Sequence, residues 1–422
     1  MKAAATILLA VFFTSFNPSK TGNKSQWKEY IKQTAIEVKI NADSNYHELS
    51  FLDSILADKR IIMLGEASHQ VKEFNEIKYA IIKYLQDTHG YQVLLMERGL
   101  AETSYTQMIK EEISLDSILE ISFAPIWKTT ENLKLAELIK HTDLELSGFD
   151  FQFTDYNTSN KYIKNYTAAV FKTETDNLFR LDSSFHFFTR ISTPEEKLYR
   201  EQVRDSLLEA HTILIQRIQN SSAFDQSKNE IKILLKVLEN RKFATSLYGT
   251  PRYTTPLRDS VMAETLTWLL DSIYKDEKVI VWAHNLHLFK SYPKHIEKYP
   301  AWQKYPTGKA LMGAELTKEI YEQSYIIGLY MHSGEVGIGR SRTKVIDKPK
   351  KNYLEYYLNS SPNEVSFFDL TRSGPMNENN AWMFTYLHTL SAGYRSELEY
   401  IINETFDGIL FLKNVTPSGL IK

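Results

Sequence analysis

The chain has 422 residues, of which 43% are hydrophobic, and its 50 basic and 52 acidic side chains give a formal net charge of -2. A chain of this length can build one large core or two smaller ones, and its balanced charge gives no electrostatic reason to expect nucleic-acid binding. Because the chain contains no cysteine, thiol catalysis, thiolate metal sites and disulfides are excluded.

The amino-terminal segment 1–17 predicts a secretory signal peptide. Lys2 precedes an apolar run, 3–13, that is too short to span a bilayer. The polar run 18–26 predicts a linker, and residues 27–422 are expected to form the folded domain. The signal peptide predicts an exported protein, periplasmic or secreted. No later segment reaches about 18 consecutive apolar residues, so we expect no transmembrane span after signal removal.

Short apolar runs along the chain predict buried strands, and helical periodicity fills most of the gaps between them. The runs are 61–64, 93–96, 144–146, 279–283, 325–330 and 408–412. This alternation predicts an α/β fold with a largely parallel central sheet flanked by helices. The long, charged and helically periodic stretch 154–250 predicts an inserted helical subdomain, or lid, that covers the edge of the sheet.

Polar side chains follow four of these strands where each strand ends. They are Glu66 and His69, then Glu97, then Asp150 and Gln152, and finally His284 and His287. The carboxyl ends of parallel strands meet at one edge of a sheet, and burying so many polar groups without a task is costly. The sequence therefore predicts a functional site at this edge.

His69 is the candidate general base of that site. If a helix begins near Ser68, His69 and Glu73 share one face of it, and a carboxylate beside the imidazole fixes the tautomer and raises the basicity. A solvated carboxylate in the first helical turn is the alternative interpretation of Glu73. Ser68 is a less suitable nucleophile, because adjacent residues diverge in direction on a helix, so water activated by His69 is the simpler hypothesis.

Arg258 is predicted in the first turn of a helix that Thr255 and Pro256 begin. The helix dipole disfavours a cation at this position. The placement therefore indicates a partner, which is Asp259, a carboxylate of the site, or a developing oxyanion. A surface ion pair is the alternative.

His284 and His287 directly follow a strand and are separated by two residues. If a helix starts there, its positive end lowers the pKa of both imidazoles and favours their neutral forms. With Glu66 and His69 they also suit a mixed metal site, although the helical zinc signature of two His flanking a Glu is missing. A GxSxG elbow, a phosphate-binding loop and a dinucleotide fingerprint are absent as well.

As a set, the motifs of this chain resemble those of the erythromycin esterase family. The matching pieces are LGEASH with Glu73 after it, VLLMER, GFDFQ, RDSVMAE, VIVWAHNLH, LMGAEL, YIIGLY and TFDGILFL. They occur in the family's order and cover the chain from about Trp27 to Thr416. The family consists of bacterial α/β proteins and includes enzymes that hydrolyse the macrolactone ester of macrolide antibiotics.

The resemblance implies a metal-independent hydrolase, without a cofactor, in which His69 acts as general base on water. The other matching polar positions are Glu66 and Glu97, which support the base, and Arg258, His284 and His287, which surround the pocket. Two positions depart from the family pattern: Gln70 stands where Gly usually follows the His, and Arg98 stands where a small or apolar residue is usual.

We therefore expect a carboxylic-ester hydrolase that acts on a small molecule, with a macrolactone and antibiotic inactivation as the leading hypothesis. Arg258 with His284 or His287 is expected to stabilise the oxyanion. Substrate binding is expected from Glu73, Asp150 and Gln152. The alternatives are an exported protein that binds a glycan or another small molecule in the same cleft, and a metal-dependent hydrolase.

Overall fold

The computed structural model describes residues 24–39, 46–151, 156–187, 193–247, 255–296, 311–339, 342–390 and 398–421. The predicted signal peptide, 1–17, and Gln152 lie outside the described residues. No helix in the described ranges is long and apolar enough to cross a lipid bilayer.

The strands of the described chain are β1 (Ile36–Glu37), β2 (Ile61–Leu64), β3 (Val93–Gly99), β4 (Glu145–Asp150), β5 (Val279–Trp282), β6 (Ser324–Gly337), β7 (Thr343–Val345), β8 (Val365–Asp369), β9 (Tyr386–Thr389), β10 (Leu398–Ile401) and β11 (Gly408–Val415). The main sheet has the order β1-β8-β11-β6-β2-β5-β3-β4, with β7 paired to β6.

All neighbours from β11 to β4 are parallel, while β1, β8 and β7 pair antiparallel and β9 and β10 form a separate antiparallel pair. Every residue of β2 and β5 is buried, as expected for strands covered on both faces. The predicted α/β fold with a largely parallel central sheet is confirmed.

The α-helices are α1 (Lys24–Thr34), α2 (Asp53–Leu56), α3 (Lys72–His89), α4 (Leu100–Ile109), α5 (Leu115–Ser122), α6 (Leu133–His141), α7 (Tyr156–Thr167), α8 (Lys172–Phe187), α9 (Pro194–Asn220), α10 (Asn229–Ser246), α11 (Thr255–Trp268), α12 (Lys318–Glu322), α13 (Leu354–Leu358) and α14 (Ile402–Thr405). Short 3₁₀ helices include Pro125–Trp127, Asn285–Leu288 and Gly313–Glu315.

Four helices, α7 to α10, lie within the predicted insertion 154–250. α8 packs on α9, and α9 packs on α10, while α7 and α10 both contact α4. α4 in turn lies against β4, the edge strand of the sheet, so the insertion reaches the sheet through α4. Its action as a lid stays a prediction.

The predicted linker 18–26 is too long by three residues, because α1 begins at Lys24. Trp27 and Ile31 of this helix are buried, and the Trp27 ring packs edge-on against Tyr357 with 5.1 Å between centroids. Burial of this apolar face fixes the start of the helix within the polar run.

The helix after β2 begins at Lys72 and not near Ser68, so that expectation is wrong. Val71 forms an antiparallel bridge with Pro417, and Gln70 has a left-handed backbone with φ of 55°. The left-handed Gln70 and the extended Val71 keep the segment before Lys72 out of a helical conformation. His69 therefore lies on a loop at the end of β2, outside the helix.

Candidate active site

Four adjacent strands, β2, β5, β3 and β4, bring the predicted polar residues to one edge of the sheet. A cavity of about 400 Å³ opens there. Its described lining consists of Ser68, His69, Gln70, Glu97, Ile126, Arg258, His284, His287, Gly337, Ile338 and Gly339. The structure therefore joins most of the residues that the sequence singled out.

The loop after β2 approaches β5 closely enough that a side chain on its first residue would not fit. A Cβ on Gly65 would collide with the side chain of Asn285, which is hydrogen-bonded to both backbone groups of Leu329 on β6. The backbone N–H of Asn285 donates to the carbonyl of Glu66 at 2.9 Å. These bonds fix the loops that carry Glu66 and His284 relative to each other.

His69 is paired with Glu66. Nδ1 of His69 lies 2.6 Å from Oε1 of Glu66, and the Glu66 side chain is buried while one third (33%) of the His69 side chain is exposed. An ionised carboxylate can only accept, so Nδ1 carries the hydrogen and Nε2 is left as a proton acceptor. His69 thus has the tautomer that a general base needs.

Two residues that sequence reasoning missed complete the surroundings of Glu66. The indole N–H of Trp127 donates to Oε1 of Glu66 at 2.7 Å, and the ammonium of Lys78 donates to Oε2 at 2.6 Å. Burial raises the pKa of Glu66, but Lys78 and His69 outweigh it and lower that pKa to about 2. Lys78 is itself fully buried, 4.1 Å from the centroid of the Trp282 ring.

Arg258, in the first turn of α11, lies between two carboxylates. Its Nη2 is 2.7 Å from both Oε1 of Glu97 and Oδ2 of Asp150, and its Nε also donates to Asp150. Burial lowers the pKa of Arg258, but the two carboxylates outweigh it and raise that pKa. The partner predicted for this cation is therefore a pair of site carboxylates, and Asp259 bonds elsewhere.

His287 is held between Asp259 and Glu97. Its Nδ1 lies 3.0 Å from Oδ1 of Asp259 and its Nε2 lies 3.2 Å from Oε1 of Glu97. Burial lowers the pKa of His287, but the carboxylates outweigh it and raise that pKa to about 10. The expectation that His287 is neutral is wrong, because two buried carboxylates outweigh the end of a short 3₁₀ helix.

His284 is neutral, as expected, but for a different reason. Burial, together with the neighbouring His69 and His287, lowers its pKa to about 3. Its Nδ1 accepts from the N–H of Leu286 at 3.2 Å, so Nε2 carries the hydrogen and points to the carbonyl of Ala67 at 3.3 Å. Both ring nitrogens have backbone partners, and the ring centroid lies 5.0 Å from that of His69.

Glu73 is not brought to His69. Its carboxylate accepts from the backbone N–H of Thr416 at 2.8 Å and from the Thr416 hydroxyl at 2.6 Å. It ties the start of α3 to the end of β11, so the predicted pairing of His69 with Glu73 is wrong. Asp150, from which substrate binding was expected, accepts a hydrogen bond from Arg258 at 2.7 Å, and Gln152 falls outside the described residues.

The two departures from the family pattern have different positions. Gln70 lines the cavity in a left-handed conformation, and its Oε1 accepts from the N–H of Gly339 at 2.7 Å. Arg98 is buried and donates to the carbonyl of Ile121 at 2.9 Å. Gln70 thus belongs to the pocket, while Arg98 is not among its described lining residues.

The cavity therefore offers a base, His69, next to two cations, Arg258 and His287. Among the described residues, no three His, Asp or Glu side chains are arranged to hold a metal ion. The carboxylates that a metal would need are paired with cationic side chains instead, Glu66 with Lys78 and Glu97 with Arg258. This constellation is suited to activating water and stabilising negative charge.

Comparisons with known proteins agree with this fold. The chain is 27% identical over 443 residues, 99% of this chain and 97% of the relative, to "Putative hydrolase YbfO" of Bacillus subtilis strain 168. It is 23% identical to erythromycin esterase type II of Escherichia coli over 63% of this chain and 70% of that protein. The solved structure of an erythromycin esterase mutant in its open conformation superposes with a TM-score of 0.61 at 18% identity, covering 92% of this chain and 99% of the other.

A family model described as erythromycin esterase matches residues 87–415, which is more than half of the chain. The names of these relatives, a putative hydrolase and an erythromycin esterase, indicate that the chain is a hydrolase. The chain belongs to the erythromycin esterase family.

Proposed function

We propose that this hydrolase cleaves a carboxylic ester by direct attack of a water molecule that His69 activates. The observation that carries the proposal is the 2.6 Å contact between Nδ1 of His69 and the buried carboxylate of Glu66. It leaves Nε2 of a partly exposed imidazole as the proton acceptor of the cavity.

Negative charge that develops on the ester oxygen needs a donor, and Arg258 is the best placed. Nε and Nη2 of Arg258 are bonded to carboxylates, while Nη1 has no carboxylate within the described residues and lies 3.3 Å from Nε2 of His287. We assign oxyanion stabilisation to Nη1 of Arg258 with the positive charge of His287 beside it. His284 positions the site, since its ring nitrogens have backbone partners.

Glu97 and Asp150 hold this cation in place. Oε2 of Glu97 accepts from the backbone N–H of His284 at 2.9 Å, and its Oε1 contacts both Arg258 and His287. One carboxylate thus links three functional residues, and Asp150 fixes the guanidinium from the other side. We therefore treat Asp150 as a positioning residue, in place of the substrate contact that the sequence suggested.

A macrolactone is the first substrate to test, because relatives of this chain are named erythromycin esterases. The experiment is mass spectrometry of a 14-membered macrolide and of a panel of simple esters after incubation with the purified protein, with and without a chelator. A gain of one water in any substrate, unaffected by the chelator, supports the proposal. Binding without product on every ester favours a binding protein, and loss of turnover on chelation favours a metal-dependent hydrolase.

A further inference from the structure

Lys78 is a fully buried cation to which the proposed reaction assigns no role. It lies on α3, on the face that also buries Phe74, Ile81 and Leu85. A lysine is rarely fully buried unless it is paired, because an ammonium removed from water is costly. Here the pair is Oε2 of Glu66, at 2.6 Å, on the carboxylate whose other oxygen holds His69.

The charge of Lys78 decides where the hydrogens of this cluster lie. A buried carboxylate with no cation takes up a proton, either on itself or on its histidine partner. If Glu66 took the proton, it would donate to Nδ1 of His69 and force the ring hydrogen onto Nε2. If His69 took it, both ring nitrogens would carry hydrogen. In either case Nε2 of His69 could not accept a proton from water.

We propose that Lys78 is a positioning residue that keeps Nε2 of His69 free of hydrogen at neutral pH. The inference rests on the proposed function, in which that nitrogen is the base. The ammonium compensates the charge of Glu66 from the side away from His69. It does so without occupying the oxygen that orients the imidazole.

The surroundings of Lys78 and Glu66 favour an ion pair at this position. Its ammonium lies 4.1 Å from the centroid of the Trp282 ring, at the end of β5, which suits a cation over an aromatic face. Burial lowers the pKa of Lys78 to about 8 against the pull of Glu66, so the ammonium form still prevails at pH 7. Trp127 supplies the third donor to Glu66, and the carboxylate is thereby held in one orientation.

The test compares wild type with Lys78→Met and Lys78→Gln, which remove the charge at similar length. Lys83→Met is the matched control, since Lys83 lies on the same helix and pairs with Asp87 at the surface. Ring-labelled histidine and ¹⁵N NMR report which imidazole nitrogen carries hydrogen, and His69→Gln assigns the signal. Circular dichroism confirms that each variant folds.

We expect His69 to carry hydrogen on Nδ1 alone in wild type and Lys83→Met at pH 7, and to carry it on Nε2 in both Lys78 variants. With an ester that wild type hydrolyses, kcat/KM of the variants falls about 10²-fold at pH 7. It recovers as the pH rises, because the carboxylate then ionises without Lys78. A merely structural lysine would lower activity at all pH values alike.

An Nε2 hydrogen on His69 in wild type, or an unchanged tautomer in a folded Lys78 variant, would overturn the inference. The NMR measurement needs no substrate. If wild type hydrolyses no ester, the proposed function fails while the position of the hydrogen on His69 still decides the role of Lys78.

Discussion

Nδ1 of His69 lies 2.6 Å from Oε1 of Glu66, and this contact makes the other ring nitrogen of His69 the one that can take a proton from water. The same carboxylate also accepts from Trp127 and Lys78, so it cannot rotate away from the imidazole. The base and its partner therefore act as one unit with Lys78 behind them.

Glu66→Gln should lower both activity and stability. The amide carries no charge, so the buried ammonium of Lys78 loses its ion pair, and breaking such a pair costs roughly 3–5 kcal/mol of unfolding free energy. Because Glu66→Gln/Lys78→Met removes both charges, it should regain most of this stability and yet stay inactive. Urea unfolding and kcat measured on the three proteins check the prediction. A double variant as unstable as the single one would contradict it.

Arg258→Lys should be strongly damaging although the charge is kept. A lysine cannot contact Glu97 and Asp150 together and also present Nη1, because it lacks the planar fork of the guanidinium. We expect kcat to fall by about 10²-fold, the range seen when one oxyanion donor is removed. Arg217→Lys, at an exposed pair with Glu174, is the control and should leave kcat unchanged. Equal kcat values for the two variants would refute the role of Arg258.

The stability that His287 contributes should depend on pH. Its folded pKa is raised from 6.5 to about 10, so between these values the folded protein holds a proton that the unfolded chain has released. The contribution is full below about pH 6.5, and it is lost at no more than about 1.4 kcal/mol per pH unit as the pH rises to about 10.

His287→Gln tests this directly. The difference in unfolding free energy between wild type and this variant, measured by urea unfolding at several pH values, should be largest near pH 6 and shrink toward pH 10. Comparing two proteins at each pH cancels the titration of the groups that they share. A difference that is constant or grows with pH would show that His287 is not held as a cation.

Gln70→Gly and Gln70→Ala should differ in stability. Both variants lose the hydrogen bond to Gly339, which costs about 1 kcal/mol. Glycine also relieves the left-handed backbone at φ of 55°, a gain of roughly 1–2 kcal/mol that alanine does not provide. We expect Gln70→Gly to melt near wild type and Gln70→Ala below it.

Both Gln70 variants should also raise KM, because the cavity residues 337–339 lose a contact that holds them. Steady-state kinetics on one ester measures this, with thermal melting on the same samples. If KM stays at the wild-type value in both variants, the Gln70 side chain does not shape the pocket.

The buried parallel strands were predictable because each is a short apolar run with both faces covered. β2 and β5 match their predicted runs to within one residue. The antiparallel strands β1 and β7 escaped prediction because they have only two or three residues, too few to show a period. β8, β9 and β10 were missed as well, since each mixes buried and more exposed residues and so gives no uniform apolar run.

The residues of the site were predictable as strand ends, but their pairings were not. Glu73 bonds Thr416, which is 343 positions away in the chain, and no local pattern reports such a contact. Lys78 did leave a signal, as a charge at helical spacing between Phe74 and Ile81 on an apolar stripe. Trp127 left none, because a tryptophan in a short turn gives no indication of what its N–H meets.

The measurement that tests the account most directly is kcat for ester hydrolysis by His69→Gln beside His141→Gln. His141 lies exposed at the end of α6 and serves as the matched control. With both variants folded, the account predicts at least a 10²-fold loss for His69→Gln, the lower end of what a general base contributes, and no loss for His141→Gln. A His69→Gln enzyme that turns over within a few-fold of wild type would contradict it.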